Sequence, residues 1–296
     1  MHYLYYPGCS LKATGRPYEE SLLAVMRELG VDVEELADWS CCGATTYMGV
    51  DENQAFALAA RNLALAERNC SDGCANLMAP CNACYLVLNK AKHYVAEYPE
   101  VRERVTGALK SIDLNYRGDV AVRHPLDIIT NDIGLEAVGK HVKRPLTGLK
   151  VACYYGCQIV RPYSTFDNQY NPTSMDELLR ALGAEVVEWP LKTRCCGGAL
   201  TGTVPNTGQR LSYFLLKEAR RAGASLVATC CPLCQHNLEC YQDEIEHDFA
   251  EHGQPAVAYF TQLMGLAMGL RPAELGLQRM LTPVQRVALQ ATGSES

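Results

Sequence analysis

Two stretches of this chain carry the same order of cysteine motifs, and that duplication constrains the fold more than any other feature. The first half contains Cys9, the adjacent pair Cys41-Cys42 followed by Gly43, and Cys81-Asn82-Ala83-Cys84. The second contains Cys153, the pair Cys195-Cys196 followed by Gly197, and Cys231-Pro232-Leu233-Cys234. The flanks repeat too: Tyr6-Pro7-Gly8-Cys9 faces Tyr154-Tyr155-Gly156-Cys157, and Leu29-Gly30-Val31-Asp32-Val33 resembles Leu182-Gly183-Ala184-Glu185-Val186. Self-similarity of this kind points to one domain copied in tandem. The chain has 296 residues, so each copy has room for its own core. The polar, turn-rich stretch Lys140 to Gly148, with Pro145, is the natural junction, which gives domains 1-146 and 147-296.

Fifteen cysteines in an exported mini-protein would suggest a disulfide scaffold. Here the count is odd and the chain is long. Met1-His2 also runs straight into Tyr3-Leu4-Tyr5-Tyr6 without the basic segment, apolar stretch and cleavage site of a secretory signal. The reading is therefore a cytoplasmic protein whose cysteines serve metal or redox chemistry. The longest apolar run, Leu263 to Leu270, is far short of the roughly 20 residues of a membrane span. A net charge of −6 argues against a nucleic-acid partner.

Periodicity alternates strands and helices in both halves, the pattern of two duplicated Rossmann-like α/β domains with mostly parallel sheets. Strands are expected at Tyr3 to Tyr6, Val31 to Leu36, Leu77 to Ala79 and Val120 to Val122. Their counterparts are Val151 to Tyr154, Val186 to Trp189, Leu226 to Ala228 and Ala256 to Tyr259. Helices are expected from about Pro17 to the stop at Gly30, and over Gln54 to Arg68, Tyr85 to Val95, Met175 to Leu182 and Gln209 to Ala222. Cys9 follows the first strand, Cys41-Cys42 the second, and Cys81 the third. Ligands of open α/β sheets gather beyond the carboxyl ends of the strands, so cysteines distant in sequence converge there. Gly8, Gly43, Gly156 and Gly197 sit beside them, either as turn residues or to admit close approach of backbone to a bound group.

Thiolates select zinc, copper(I) and iron-sulfur clusters. A structural zinc site takes four ligands, whereas each half offers five. Two adjacent cysteines can hardly both point at one small ion, which favours a larger iron-sulfur cluster over zinc or metal-free thiol chemistry.

The segments Tyr5-Tyr6-Pro7-Gly8-Cys9-Ser10-Leu11-Lys12, Trp39-Ser40-Cys41-Cys42-Gly43-Ala44, Ala79-Pro80-Cys81-Asn82-Ala83-Cys84-Tyr85 and Cys231-Pro232-Leu233-Cys234 resemble the B subunit of heterodisulfide reductase and its bacterial relatives. The resemblance runs to about residue 270. It implies two noncubane [4Fe-4S] clusters, one on Cys9, Cys41, Cys42, Cys81 and Cys84 and the other on Cys153, Cys195, Cys196, Cys231 and Cys234. It further implies cleavage or formation of a disulfide of the CoM-S-S-CoB type between the clusters. In that family the partners are an iron-sulfur C subunit plus a flavin-containing A subunit. Relatives act on lipoate- or protein-bound sulfur, or serve as electron-transfer subunits of quinone-linked dehydrogenases. No ferredoxin-type C-x₂-C-x₂-C-x₃-C-P run and no dinucleotide fingerprint occur, so electrons are expected to come from partner proteins.

Cys70, Cys74, Cys157, Cys230 and Cys240 fall outside the ten and read as small buried apolar residues. Cys157 and Cys230 flank assigned ligands and are the candidates for substitution among them. His124, at a strand end, reads as a capping or packing residue before a proton donor. Lys12, Arg16, Arg161, Lys192 and Arg194 lie near ligands in sequence and could meet an anionic substrate, with surface charge the simpler reading. The small, polar Ala291 to Ser296 is expected to fray.

Overall fold

The computed structural model describes residues 1–44, 46–70 and 75–291. Cys74 and residues 292–296, on which the expectation of a frayed terminus falls, lie outside the described residues. Among the described residues eight strands form two four-stranded sheets. The first holds β1 (His2–Tyr5), β2 (Asp32–Glu35), β3 (Ala75–Met78) and β4 (Val120–Arg123) in the order β2-β1-β3-β4. The second holds β5 (Lys150–Tyr154), β6 (Glu185–Val186), β7 (Leu226–Thr229) and β8 (Ala256–Tyr259) in the order β6-β5-β7-β8. Every pairing is parallel, so each connection is a crossover, most of them helical.

Local sequence explains where those helices begin and end. The helix Arg16–Glu28 has Pro17 in its first turn, buries Leu22, Val25 and Met26, and stops at Gly30, whose φ of +69° suits glycine. There the Val31 N–H returns to Met26 O at 2.9 Å and the Gly30 N–H to Arg27 O at 3.1 Å, closing the exposed carbonyl end. The helix Glu52–Arg68 starts at Asp51, whose carboxylate accepts from the Asn53 and Gln54 N–H groups at 3.0 and 3.3 Å, a cap of ~1 kcal/mol.

Two differences from the sequence reading have simple causes. The strand expected over Val186 to Trp189 ends at Val186, because the chain turns to place the Trp189 indole N–H on Cys153 O at 3.0 Å. The helix Pro99–Lys110 escaped the periodicity reading because only Val105 and Leu109 of its polar sequence are buried.

The halves interlock reciprocally. The helix Phe260–Ala267, after β8, packs on Arg16–Glu28, after β1. Tyr18 and Tyr259 stack there with centroids 4.5 Å apart, and the Ser21 and Thr261 hydroxyls meet at 2.7 Å. Conversely, the helical segment after β4 packs on Ser174–Ala181, after β5. One apolar core therefore runs through both sheets.

Candidate metal centre

The strand order puts a switch point between β1 and β3 in one half and between β5 and β7 in the other, where a crevice opens at the carboxyl ends. Cys9 lies in the helical turn Gly8–Leu11 after β1, and Cys81 is the residue before the helix Asn82–Glu97, three positions past β3. In the first half a line of side-chain contacts runs from Cys9 to Cys41 and on to Cys42. It continues from Cys42 Sγ to Cys84 Sγ at 3.3 Å, and from Cys84 to Cys81. In the second half Cys157 touches Cys195, Cys196 Sγ lies 3.6 Å from Cys234 Sγ, and Cys234 touches Cys231. Cys81 and Cys231 touch each other and join the two sets. Each set runs from the surface, where Cys9, Cys41 and Cys195 are exposed, to buried CxxC thiols.

Nine of the ten thiols expected from the sequence therefore converge, and Cys153 does not. Cys153 is inside β5, fully buried against Asp176. Successive strand residues point to opposite faces. The next residue, Tyr154, faces Cys234, Cys196, Cys157 and Cys195, so Cys153 must face away. Its place in the set is taken by Cys157, and the repeated flanks carried the signal: Gly8-Cys9 aligns with Gly156-Cys157, which puts Cys153 opposite Tyr5. Tyr5 likewise turns from the thiols toward Glu19 at 3.2 Å.

The walls repeat as faithfully as the thiols. Tyr6 faces Cys84, Cys42, Cys41 and Cys9 and donates to Ser40 O at 2.8 Å. Tyr154 donates to Arg194 O at 2.7 Å. Each tyrosine thus fixes the residue before its CC pair. A Cβ on Gly8 would lie 3.0 Å from Cys84 Sγ, and one on Gly156 3.0 Å from Cys234 Sγ, at φ values of +64° and +72°. Both glycines are required for space and for conformation.

The sulfurs are held in a polar setting. The Gly197 and Gly198 N–H groups point at Cys195 Sγ and Cys196 Sγ, each at 3.4 Å. Donation from Cys157, with the Gly197 N–H assisting, lowers Cys195 to about 6. Donation from Cys42 and Cys9 lowers Cys41 to about 2. Burial raises Cys153, with Asp176 adding to the effect.

Three observations fit a large anionic group bound by these thiols. The donor set is entirely sulfur and the glycine surfaces leave room beside it. In addition, the buried hydroxyls of Tyr18, Ser40 and Thr229 find no hydrogen-bond partner among the described residues, although buried donors are normally satisfied. Ser40 adjoins Cys41, Thr229 precedes Cys231 by two residues, and Tyr18 faces Cys230 and Cys231. Among the described residues no three His, Cys, Asp or Glu side chains surround a point suited to one metal ion. The thiols instead form a line with neighbouring sulfurs already in contact.

The other residues singled out in the sequence have definite places. His124 is fully buried: Nδ1 accepts from the Leu126 N–H at 3.1 Å, and Nε2 faces Pro80 O at 3.0 Å, which fixes a neutral ring protonated at Nε2. It caps the short helix Pro125–Asp127. Burial lowers its pKa to about 4. The unfolded chain binds a proton near pH 6.5 and the folded chain does so only near 4, so stability falls as pH drops through that window. Guanidinium unfolding is expected to lose ~2 kcal/mol between about pH 6.5 and about pH 5, and His124→Gln to flatten this slope. Lys12 pairs with Glu19 and Glu35, each at 2.7 Å, Arg16 with Glu20 at 3.2 Å, and Lys192 with buried Asp176 at 2.6 Å. Asn82, whose role the sequence did not reveal, crosses between halves to donate to Tyr155 O at 2.8 Å and also touches Cys230.

Comparison with known proteins yields matches along most of the chain. Residues 3–89 and 151–239 each match the model of the cysteine-rich domain CCG. The 8-methylmenaquinol:fumarate reductase membrane anchor subunit of Wolinella succinogenes is 32% identical, with 93% of this chain and 95% of that protein covered. A heterodisulfide reductase B-subunit-like protein of Archaeoglobus profundus is 32% identical over 90% of this chain and 91% of its own. The B subunit of the ferredoxin/F(420)H(2)-dependent CoB-CoM heterodisulfide reductase of Methanosarcina acetivorans is 30% identical, with 92% and 91% covered. The crystal structure of a hypothetical protein from Helicobacter pylori superposes with a TM-score of 0.74 at 16% identity over 95% of this chain. The chain spans about half, 52%, of that structure's length, and the likeness establishes the fold.

Proposed function

The chain belongs to the cysteine-rich CCG domain family, among the relatives of the heterodisulfide reductase B subunit, and from that premise we propose that it is the subunit of an oxidoreductase complex that cleaves or forms a disulfide at two noncubane [4Fe-4S] clusters. One cluster is held by Cys9, Cys41, Cys42, Cys81 and Cys84. The other is held by Cys157, Cys195, Cys196, Cys231 and Cys234. The observation that carries this reading is the contact between Cys81 and Cys231, which makes the two sites neighbours. Such clusters supply one electron each, matching the two electrons that scission of an S–S bond requires. Around them Tyr6 and Tyr154 fix the CC loops, Gly8 and Gly156 leave space beside the inner sulfurs, and exposed Cys9, Cys41 and Cys195 mark the solvent side. Partner subunits of the C and A types would relay the electrons, in keeping with relatives named as B subunits.

The Wolinella relative, named as part of a quinol:fumarate reductase, favours a second reading in which the clusters carry electrons for a quinone-linked complex and never touch substrate. Among the described residues no helix is long and apolar enough to cross a membrane.

Anaerobically purified chain is expected to hold about eight irons, as two four-iron clusters require. An added small disulfide should alter the paramagnetic signal of a cluster that it reaches. A signal indifferent to disulfides yet responsive to a quinone analogue would favour the second reading. Zinc with little iron would reject both.

A further inference from the structure

The two sites repeat in their thiols and walls but differ in what surrounds the sulfurs. Aligning Cys9 with Cys157 puts Ala13 opposite Arg161, and aligning Cys84 with Cys234 puts Val87 opposite Asn237. Arg161 is half-buried. Its backbone N–H bonds to Cys157 O at 3.1 Å, and its guanidinium donates to Thr193 O, two residues before Cys195. Among the described residues no carboxylate forms an ion pair with it. Its positive charge acts on both Cys157 and Cys195. In the first half the nearby cation Lys12 is held by Glu19 and Glu35.

Asn237 is a second, independent asymmetry. It is fully buried, and its Nδ2 lies 3.4 Å from Cys196 Sγ and 2.9 Å from Gly198 O. The Thr201 hydroxyl donates to Asn237 Oδ1 at 2.8 Å, which keeps the amide nitrogen turned to the sulfur. Val87, buried at the matching place in the first half, has no donor to offer.

An electron entering a thiolate-bound cluster adds negative charge to the iron-sulfur core and its sulfurs. A nearby unneutralised cation and an N–H directed at a ligand sulfur both stabilise that charge, and both raise the reduction potential. We propose that the two centres are electronically unequal, that the site built on Cys157, Cys195, Cys196, Cys231 and Cys234 has the higher potential, and that Arg161 and Asn237 set the difference. This rests on the cluster assignment made above and adds a direction to it. One electron moves from the reduced first centre to the oxidised second, with no bond formed or broken. Arg161 and Asn237 are positioning residues, acting through the ligand sulfurs.

The test is an anaerobic dithionite titration of the full chain, followed by electron paramagnetic resonance, with iron counted beforehand. The wild type should give two midpoints. Arg161→Gln should lower the higher one and leave the other in place, with a drop of roughly tenfold in the equilibrium constant between centres, about 59 mV for a one-electron couple. Arg161→Lys should keep most of the separation, which loss of the Thr193 hydrogen bond alone would not predict. Asn237→Val should move the same midpoint downward. A single wild-type midpoint, variants that move the lower midpoint, or variants that move neither would overturn the inference while leaving two clusters standing. About four irons per chain or fewer would overturn the two-cluster assignment and this inference with it.

Discussion

Cys157→Ala is expected to cut the iron content of the anaerobically purified chain by about half, whereas Cys153→Ala should leave it unchanged. Both thiols belong to the same strand-to-loop segment, four positions apart, so nothing in their spacing from Cys195 separates them. The pleat does: Tyr154 turns toward the sulfurs and Cys153 must turn away, into the buried surroundings of Asp176. Cys157 lies past the strand, after a glycine with φ of +72° that swings the chain back over Cys234, and it meets Cys195. Removing it takes away the outer anchor of one set and leaves Cys9, Cys41, Cys42, Cys81 and Cys84 complete. Removing Cys153 deletes one small buried side chain, at a cost of ~1 kcal/mol in packing. Iron analysis of the two variants beside the wild type decides the matter. The opposite result, with Cys153→Ala losing iron and Cys157→Ala keeping it, would restore the assignment by motif order.

The sequence led to Cys153 for a definite reason. Counting motifs by order rewards the first cysteine of the second half, and Cys153 stands inside the expected strand Val151 to Tyr154. The flanking tyrosine and glycine held the better information, because Tyr6 and Tyr154 bond the residue before each CC pair and a Cβ on Gly8 or Gly156 would press on the inner sulfur. Strand direction followed from the same residues: helices between short apolar runs call for parallel neighbours, and every strand pairing is parallel. What periodicity could not reach was the reciprocal packing of the halves, since Tyr18 on Tyr259 and Asn82 on Tyr155 O pair residues from distant parts of the chain. Those contacts bring Cys81 against Cys231. The inequality of the two sites was equally hidden, because Arg161 and Asn237 acquire meaning only when a guanidinium is found without a carboxylate and an amide is found on a sulfur.

Lys192→Met is expected to destabilise the protein by ~3–5 kcal/mol, the cost of leaving a buried charge without its partner. Lys192 Nζ lies 2.6 Å from Asp176 Oδ1, and both side chains are buried. Asp176 Oδ2 accepts from the Tyr155 hydroxyl at 2.6 Å, and that hydroxyl accepts in turn from the Met175 and Asp176 N–H groups at 2.8 and 3.1 Å. The Lys192 carbonyl accepts from the Tyr155 and Gly156 N–H groups at 2.9 and 3.1 Å. One buried network thus ties the first turn of the helix Ser174–Ala181 to the loop that presents Cys157. Without the ammonium, the Asp176 carboxylate keeps the Tyr155 hydroxyl but loses its counter-charge. The double variant Lys192→Met/Asp176→Asn removes both charges and leaves an acceptor for Tyr155, so it should recover a large part of the loss, as buried pairs replaced together do. Guanidinium unfolding of the two variants measures this directly. Equal losses in both would mean that the packing of the lysine stem, and not the ion pair, holds the loop. Iron should be lost preferentially from the second site, because Tyr155 and Lys192 hold the loop of Cys157 directly, whereas the first site meets this network through the Asn82 side chain on Tyr155 O.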